Sequence, residues 1–97
     1  MIEGKTKSGF KFEIDERILT DWRLIDAIGL SESTDASEQI RGVRNLAKLV
    51  LGEQADALKK HIADKNNGFI PVDKMTDAIT EIITISKELK NLQSSEG

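Results

Sequence analysis

The chain has 97 residues, which suits one small domain. Its 14 basic and 17 acidic residues give a net charge of −3, so overall charge offers no support for binding to nucleic acid or an anionic membrane. The absence of cysteine excludes disulfides and thiolate metal sites. No apolar run approaches the roughly 18 residues of a membrane helix, and the first residues lack an apolar signal core. We therefore expect a cytoplasmic protein that contacts no membrane and no nucleic acid.

The N-terminus predicts a β-hairpin over residues 2–14. Phe10, Phe12 and Ile14 alternate with charged residues, which is the period of a strand with one buried face. Residues 7–9, Lys-Ser-Gly, supply the turn, and the residues before them form the partner strand. Two strands alone are marginally stable, so we expect the apolar side chains to pack on helices.

The first helical stretch is predicted to begin at Asp15, its N-cap, and to end near Gly29. Its apolar stripe at helical spacing consists of Ile18, Trp22, Leu24, Ile25 and Ile28. This pattern predicts that Trp22 is a core residue, covered by the hairpin.

Two further helices are predicted in the middle of the chain. The first of these begins near Asp35 or Ser37 and ends at Gly52. Its expected buried residues are Ile40, Val43, Leu46, Ala47 and Val50. The next helix carries an apolar set one to two turns apart, Ala55, Leu58 and Ile62.

The last helix is predicted to be the longest, with Asp73 or Thr76 as its N-cap. Its residues at three-four spacing are Met75, Ala78, Ile79, Ile82, Ile85, Ser86, Leu89 and Leu92. The chain is therefore predicted to be a mainly α single domain over residues 1–93, with about four helices, an N-terminal hairpin and a frayed tail at 94–97.

The apolar arc of the last helix is wider than a small bundle normally needs. Its candidate protein-binding residues are Ile79, Ile82, Ile83, Ile85 and Leu89. One interpretation is that the helix is simply the central core element. The other is that Ile83, which lies to one side of the main line, stays uncovered and contacts a partner helix or a second copy of the chain.

Residues 64–75, DKNNGFIPVDKM, have the composition of a calcium loop but lack its order of ligands. In one register Lys65 and Lys74 occupy ligand positions, and in the other Met75 replaces the bidentate glutamate. We therefore expect neither a metal nor a cofactor.

The same stretch is predicted to connect two helices. Residues 66–68, Asn-Asn-Gly, tolerate left-handed backbone and can end the preceding helix. Phe69 and Ile70 are expected to pack back onto the core, and Pro71 keeps Ile70 out of the helical region.

Nothing in the sequence resembles a nucleophile elbow or a glycine-rich phosphate loop. His61 is the only histidine and lies beside Lys59 and Lys60, so we expect a solvated helix residue. The chain is therefore predicted not to be an enzyme, with no catalytic residues.

A small DNA-binding regulator is the main alternative, because residues 46–62 resemble a helix-turn-helix. A basic stripe precedes and overlaps this segment: Arg41, Arg44 and Lys48. Against it, the candidate recognition helix begins with Glu53 and Asp56, whose carboxylates would face phosphates and base acceptors.

Three segments carry a family resemblance: SGFKFEIDERILTDWRLIDAI, LAKLVLGEQADALKKHI and NNGFIPVDKMTDAITEI. The matching residues are Ile14, Asp15, Glu16, Asp21, Trp22, Ile25, Leu46, Leu49, Leu51, Gly52, Gln54, Leu58, Gly68, Ile70, Pro71, Val72, Met75, Ile79, Glu81 and Ile82. Together they resemble the tail assembly chaperone family of long-tailed bacteriophages, particularly those of Gram-positive hosts, over roughly residues 8–85.

The resemblance implies a non-enzymatic chaperone in the cytoplasm of the infected bacterium, absent from the mature virion. Such proteins coat the helical, aggregation-prone tape-measure protein until tail-tube subunits polymerise around it. Self-association is expected because a long rod takes many copies, and the tail-tube protein is a further candidate partner. Many families also make a longer frameshifted form, for which the Ser/Glu/Gly tail would suit the junction. A structural phage protein retained in the particle is a third interpretation.

Overall fold

The computed structural model describes residues 1–94 of the chain. They form an antiparallel β-hairpin, a short 3₁₀ segment and four α-helices, which confirms the predicted mainly α fold. The elements are β1 Ile2–Lys5, β2 Lys11–Ile14, the 3₁₀ segment Glu16–Thr20, α1 Trp22–Ser31, α2 Ala36–Leu51, α3 Gln54–Lys65 and α4 Val72–Ser94. Of the predicted frayed tail, Ser94 closes α4 and residues 95–97 lie outside the described part of the chain.

The hairpin places one face on the core, as its alternating sequence predicts. Ile2 pairs with Ile14, and Gly4 pairs with Phe12. A Cβ at Gly4 would lie 2.6 Å from Cζ of Phe12, so glycine leaves room for the ring to cover the opposite strand. At the turn, the Thr6 hydroxyl accepts a hydrogen bond from the Phe10 backbone N–H at 3.1 Å.

Side chains from two helices bond to free backbone groups of the hairpin. In the turn after β1, the backbone N–H of Lys7 donates to the Glu81 carboxylate of α4 at 2.6 Å. On the β2 side, the Gln54 carboxamide at the start of α3 bonds both backbone groups of Glu13.

The first helical stretch is divided in two, whereas the sequence predicted one continuous helix. Asp15 caps the 3₁₀ segment, and its carboxylate accepts from the Arg17 backbone N–H at 3.0 Å. Asp21 then takes an extended conformation and caps α1, accepting from the Arg23 backbone N–H at 2.8 Å. The new start changes the phase of the helix, and α1 continues past Gly29 to Ser31.

The core lies between the hairpin and the four helices. Its buried apolar residues are Ile2, Phe10, Phe12, Ile14, Leu24, Ala27, Val43, Leu46, Ala47, Val50, Leu51, Leu58, Ile62, Met75, Ile79, Ile82 and Ile83. This confirms the predicted faces of β2, α2 and α3, with two differences: Ala55 is half-buried and Ile40 is exposed. Ile40 lies in the second turn of α2, next to the loop, where no other element covers it.

Gly42 lets α1 and α2 pack closely. A Cβ at Gly42 would collide with the backbone nitrogen of Ser31 and would lie 2.7 Å from the carbonyl carbon of Leu30. The positive φ angle of Gly52 ends α2 as predicted.

The connector between α3 and α4 differs in part from its prediction. Asn67 and Gly68 have positive φ angles, as expected, and the Gly68 N–H donates to the Ala63 carbonyl at 2.8 Å. Asn66 does not share this conformation. The predicted packing of residues 69–70 on the core is wrong, because both side chains are exposed.

The start of α4 also differs from its prediction. The helix begins at Val72, directly after Pro71, so neither Asp73 nor Thr76 is its cap. The Met75 backbone N–H donates to the Pro71 carbonyl at 3.1 Å, which makes Pro71 the N-cap residue, where its missing N–H leaves no helical bond unmade.

Candidate functional site

The outer side of α1 carries the first large apolar surface. Trp22 is 71% exposed and Ile25 is 55% exposed, so the prediction of a buried Trp22 is wrong. Because α1 begins at Trp22, Leu24 and Ala27 turn toward the core and are buried instead. The two exposed side chains are three residues apart and therefore share one side of the helix.

The α3–α4 connector carries the second apolar surface. Phe69 is 73% exposed, and Ile70 and Val72 beside it are also exposed. Asn67 and Gly68 turn the backbone sharply just before Phe69. A tight turn followed by Pro71 leaves these three side chains without a neighbouring element to cover them.

The predicted binding residues of α4 lie mostly inside the domain. Ile79, Ile82 and Ile83 are buried, so the expectation that Ile83 is uncovered is wrong. Ile85 and Leu89 are half-buried against the core. The wide arc is filled because α4 contacts several elements, among them β1, α2 and the 3₁₀ segment. These five residues therefore do not form an external surface, and a role for α4 in partner binding stays a prediction.

The C-terminal end of the apolar face of α4 also departs from the predicted pattern. Leu92, which continues the three-four spacing, is exposed. It lies in the last turns of the helix, beyond the half-buried Leu89.

A chain of polar groups ties the hairpin turn to α3. The Ser8 hydroxyl lies 3.0 Å from Nε2 of His61, and the Thr6 hydroxyl lies 3.1 Å from that of Ser8. The Phe10 and His61 rings are tilted, with centroids 5.6 Å apart. His61 is therefore half-buried and engaged, in contrast to the solvated residue expected from sequence. The Ser8 hydroxyl donates to Nε2 or accepts from it according to the imidazole tautomer, and in both cases the contact joins the hairpin turn to α3.

Two grooves lie beside α1 and the hairpin. One, of about 560 Å³, lies between α1 and α2 and is lined by Arg23, Asp26, Ala27, Leu30, Asn45, Lys48 and Leu49. The other, of about 600 Å³, lies on the outer face of the hairpin beside Gln54. On that face like charges stand opposite each other: Glu3 opposite Glu13, and Lys5 opposite Lys11.

The arginines nearest to the exposed surface of α1 are engaged in ion pairs within the chain. Arg17 contacts Asp15 at 2.5 Å, and Arg23 contacts Asp21 at 2.7 Å. The hydrogen bonds from each arginine lower the pKa of its aspartate to about 2. The same bonds raise the pKa of both guanidinium groups.

The alternative helix-turn-helix segment forms α2, a short turn and α3. Arg44 and Lys48 are exposed on α2. Glu53 and Asp56 lie at the start of α3, where the positive end of the helix dipole stabilises their negative charge. Asp56 also lies 3.7 Å from Lys59.

Within residues 1–94, the His, Asp and Glu side chains form no group of three or more that could bind a metal ion. None of the helices in the same range combines the length and apolar character needed to cross a membrane.

The exposed surface of α1 was missed from the sequence, although one signal points to it. Asp15-Glu-Arg17 and Asp21-Trp-Arg23 have the same spacing, and each forms a cap with an ion pair. A second cap inside a predicted helix means that the helix restarts there. A helix that begins at Trp22 need not continue the stripe that includes Ile18, so Leu24 and Ala27 become an alternative buried pair.

Comparisons of the chain with protein-family models, curated proteins and solved structures gave no match.

Proposed function

We propose that the protein is a phage tail assembly chaperone that binds and solubilises the helical tape-measure protein during tail morphogenesis. The single observation that carries the proposal is the exposure of Trp22 and Phe69. The chain has only three phenylalanines and one tryptophan, and two of these four aromatic side chains lie largely in water. The resemblance of residues 8–85 to the chaperone family supports the same function.

Large exposed aromatic side chains are a marker of protein-binding surfaces. Tryptophan is enriched among the residues that contribute most to binding, because it buries a large apolar area against the partner at little cost in conformational entropy. A small domain with few aromatics gains stability by burying them, so leaving Trp22 outside sacrifices core stability. A binding role accounts for that placement.

The proposed action is non-enzymatic and takes place in the cytoplasm of the infected bacterium. The chaperone covers apolar stretches of the tape-measure helix and leaves before the virion is complete. Its charged residues, 32% of the chain, keep the chaperone–client complex soluble. Self-association along the rod and contact with the tail-tube protein belong to the same proposal.

Co-expression tests the proposal directly. The tape-measure protein encoded by the same phage is produced alone, with the parent chain and with a Trp22→Ser, Phe69→Ser double variant. We expect the parent to keep the tape-measure protein in the soluble fraction and to co-purify with it, and the double variant to do neither. Circular dichroism of the double variant checks that its fold is intact.

Two outcomes would contradict the proposal. If the tape-measure protein is equally insoluble with and without the parent chain, the chain has no chaperone activity toward it. Stoichiometric recovery of the chain from mature particles by mass spectrometry would instead favour a structural protein retained in the virion.

A further inference from the structure

Two residues on the outer side of α1, Trp22 and Gly29, are not explained by the fold. Trp22 lies largely in water. A Cβ at Gly29 would meet nothing within 4 Å, and the φ angle of Gly29 is not positive. A glycine inside a helix is less favourable than alanine. Neither packing nor backbone conformation within this domain therefore requires the glycine.

Trp22, Ile25 and Gly29 form one stripe, named here the α1 stripe. Their spacing of three and four residues aligns them along one side of the helix. The stripe is about 10 Å long at 1.5 Å per residue. Two large side chains stand at its N-terminal end, and the missing side chain of Gly29 leaves a depression at the other. Helices approach each other most closely where the side chains at the contact are small.

The charges beside the α1 stripe are acidic. Asp26 adjoins Ile25, and Glu32 caps the helix; neither forms an ion pair within residues 1–94. The C-terminus of α1 adds the negative end of the helix dipole. Arg23 is already paired with Asp21 at 2.7 Å. Lys48 lines the same groove as Asp26 and forms no ion pair with it within residues 1–94.

We propose that the α1 stripe binds a basic amphipathic helix of a partner protein. The apolar residues of that helix pack on Trp22 and Ile25, its backbone approaches Gly29, and its flanking Lys or Arg side chains pair with Asp26 and Glu32. The inference deepens the proposed chaperone function, on which it rests, by assigning the docking site and the charge of the client helix. The same carboxylates repel an anionic lipid surface.

The only tryptophan of the chain lies in the stripe and serves as the reporter. Two tryptophan-free helical peptides of about 18 residues share one Leu/Ala face, and their flanks carry lysine in one and glutamate in the other. We expect the lysine peptide to shift the Trp22 emission to shorter wavelength and to bind about tenfold more tightly or better than the glutamate peptide. No shift, or equal affinity of the two peptides, would overturn the proposal. A shift caused by phosphatidylglycerol vesicles but not by the lysine peptide would overturn it too.

Gly29→Ala separates binding from folding. The added methyl group removes the cost of the helix glycine and meets nothing within the domain, so the melting temperature rises. The same methyl group occupies the depression, so we expect the affinity for the lysine peptide to fall about tenfold. Asp26→Lys should lower the affinity as well. Gln39→Ala, an exposed change on α2, should leave the affinity unchanged. A more stable Gly29→Ala variant with parental affinity would refute the assigned site.

Fragments of the tape-measure protein distinguish this inference from the function on which it rests. If a fragment binds the parent and the Gly29→Ala variant equally, the chaperone function stands and the α1 stripe is the wrong site. If the lysine peptide binds through the stripe and no fragment binds, the site stands and the chaperone function fails. Weaker binding of a fragment to Gly29→Ala supports both.

Discussion

The side chain of Gln54 bonds both backbone groups of Glu13. Its Oε1 accepts from the Glu13 N–H at 2.8 Å, and its Nε2 donates to the Glu13 carbonyl at 2.6 Å. The carboxamide therefore occupies the place of a peptide group in a third strand and joins the edge of β2 to the start of α3. Because two backbone groups are satisfied at once, the pair protects this edge from pairing with another chain.

Gln54→Glu should destabilise the domain by about 1 kcal/mol. The substitution keeps the size of the side chain but removes the donor to the Glu13 carbonyl and brings a carboxylate against that oxygen. Chemical denaturation measures the free energy of unfolding. Gln39→Glu, an exposed change of the same chemistry on α2, is the matched control. Equal unfolding free energies for the two variants would show that the carboxamide pair contributes nothing.

Gly42→Ala should destabilise the domain even though alanine is the better helix former. The added Cβ would lie 2.7 Å from the backbone carbon of Leu30, so α1 and α2 must move apart. We expect a loss of about 1–3 kcal/mol, the usual cost of overpacking. Gly29→Ala, on the open side of α1, is expected to stabilise by up to about 1 kcal/mol. Thermal denaturation of the two variants should give shifts of opposite sign, and shifts of the same sign would contradict the close α1–α2 packing.

Trp22→Ala should change the free energy of unfolding by less than about 1 kcal/mol, because the indole is 71% exposed. Leu24→Ala, two residues later on the buried side, should cost about 2–5 kcal/mol. The emission of the parent protein should resemble that of indole in water. A Trp22→Ala variant as unstable as Leu24→Ala would place the tryptophan back in the core.

The sequence patterns that were interpreted correctly are local ones. Alternation at Phe10, Phe12 and Ile14 determines the face of β2 directly, because neighbouring strand residues point to opposite sides. Asp35 and Gly52 set the ends of α2 through capping and a positive φ angle, both of which depend on the residue itself.

The errors concern which side of an element the rest of the domain covers. Trp22 and Ile25 fit a buried stripe only if the helix continues from Asp15 without interruption. In α4, Ile83 is covered because the helix contacts the hairpin, α2 and the 3₁₀ segment, and no local pattern reports that arrangement. The exposed surface of α1 was missed for the same reason, since its residues have core-like chemistry.

Ile83→Asp should unfold the domain. The side chain is 7% exposed in the core, and an unpaired carboxylate there costs several kcal/mol, a large share of the stability of a small domain. Circular dichroism should show loss of helix at room temperature. Thr80→Asp, on the exposed side of the same helix, should keep the parental spectrum. A folded Ile83→Asp variant would mean that this side of α4 is open.

Acid should destabilise the protein through Asp15 and Asp21. Hydrogen bonds from Arg17 and Arg23 lower the pKa of each carboxyl from its ordinary value of 3.8 to about 2. Between these values the unfolded chain binds more protons than the folded one, so stability falls as the pH is lowered. The contribution of the two carboxyls to stability is fully present above about pH 4 and is lost as the pH falls through about 2.

The double variant Asp15→Asn, Asp21→Asn tests this prediction. Asparagine retains capping ability, so the variant should fold and show a flatter decline of melting temperature from pH 5 to pH 2. The double variant Asp26→Asn, Asp64→Asn removes two exposed carboxylates outside any ion pair in residues 1–94 and controls for net charge. Equal slopes for the double variant and the parent would show that neither cap contributes to acid sensitivity.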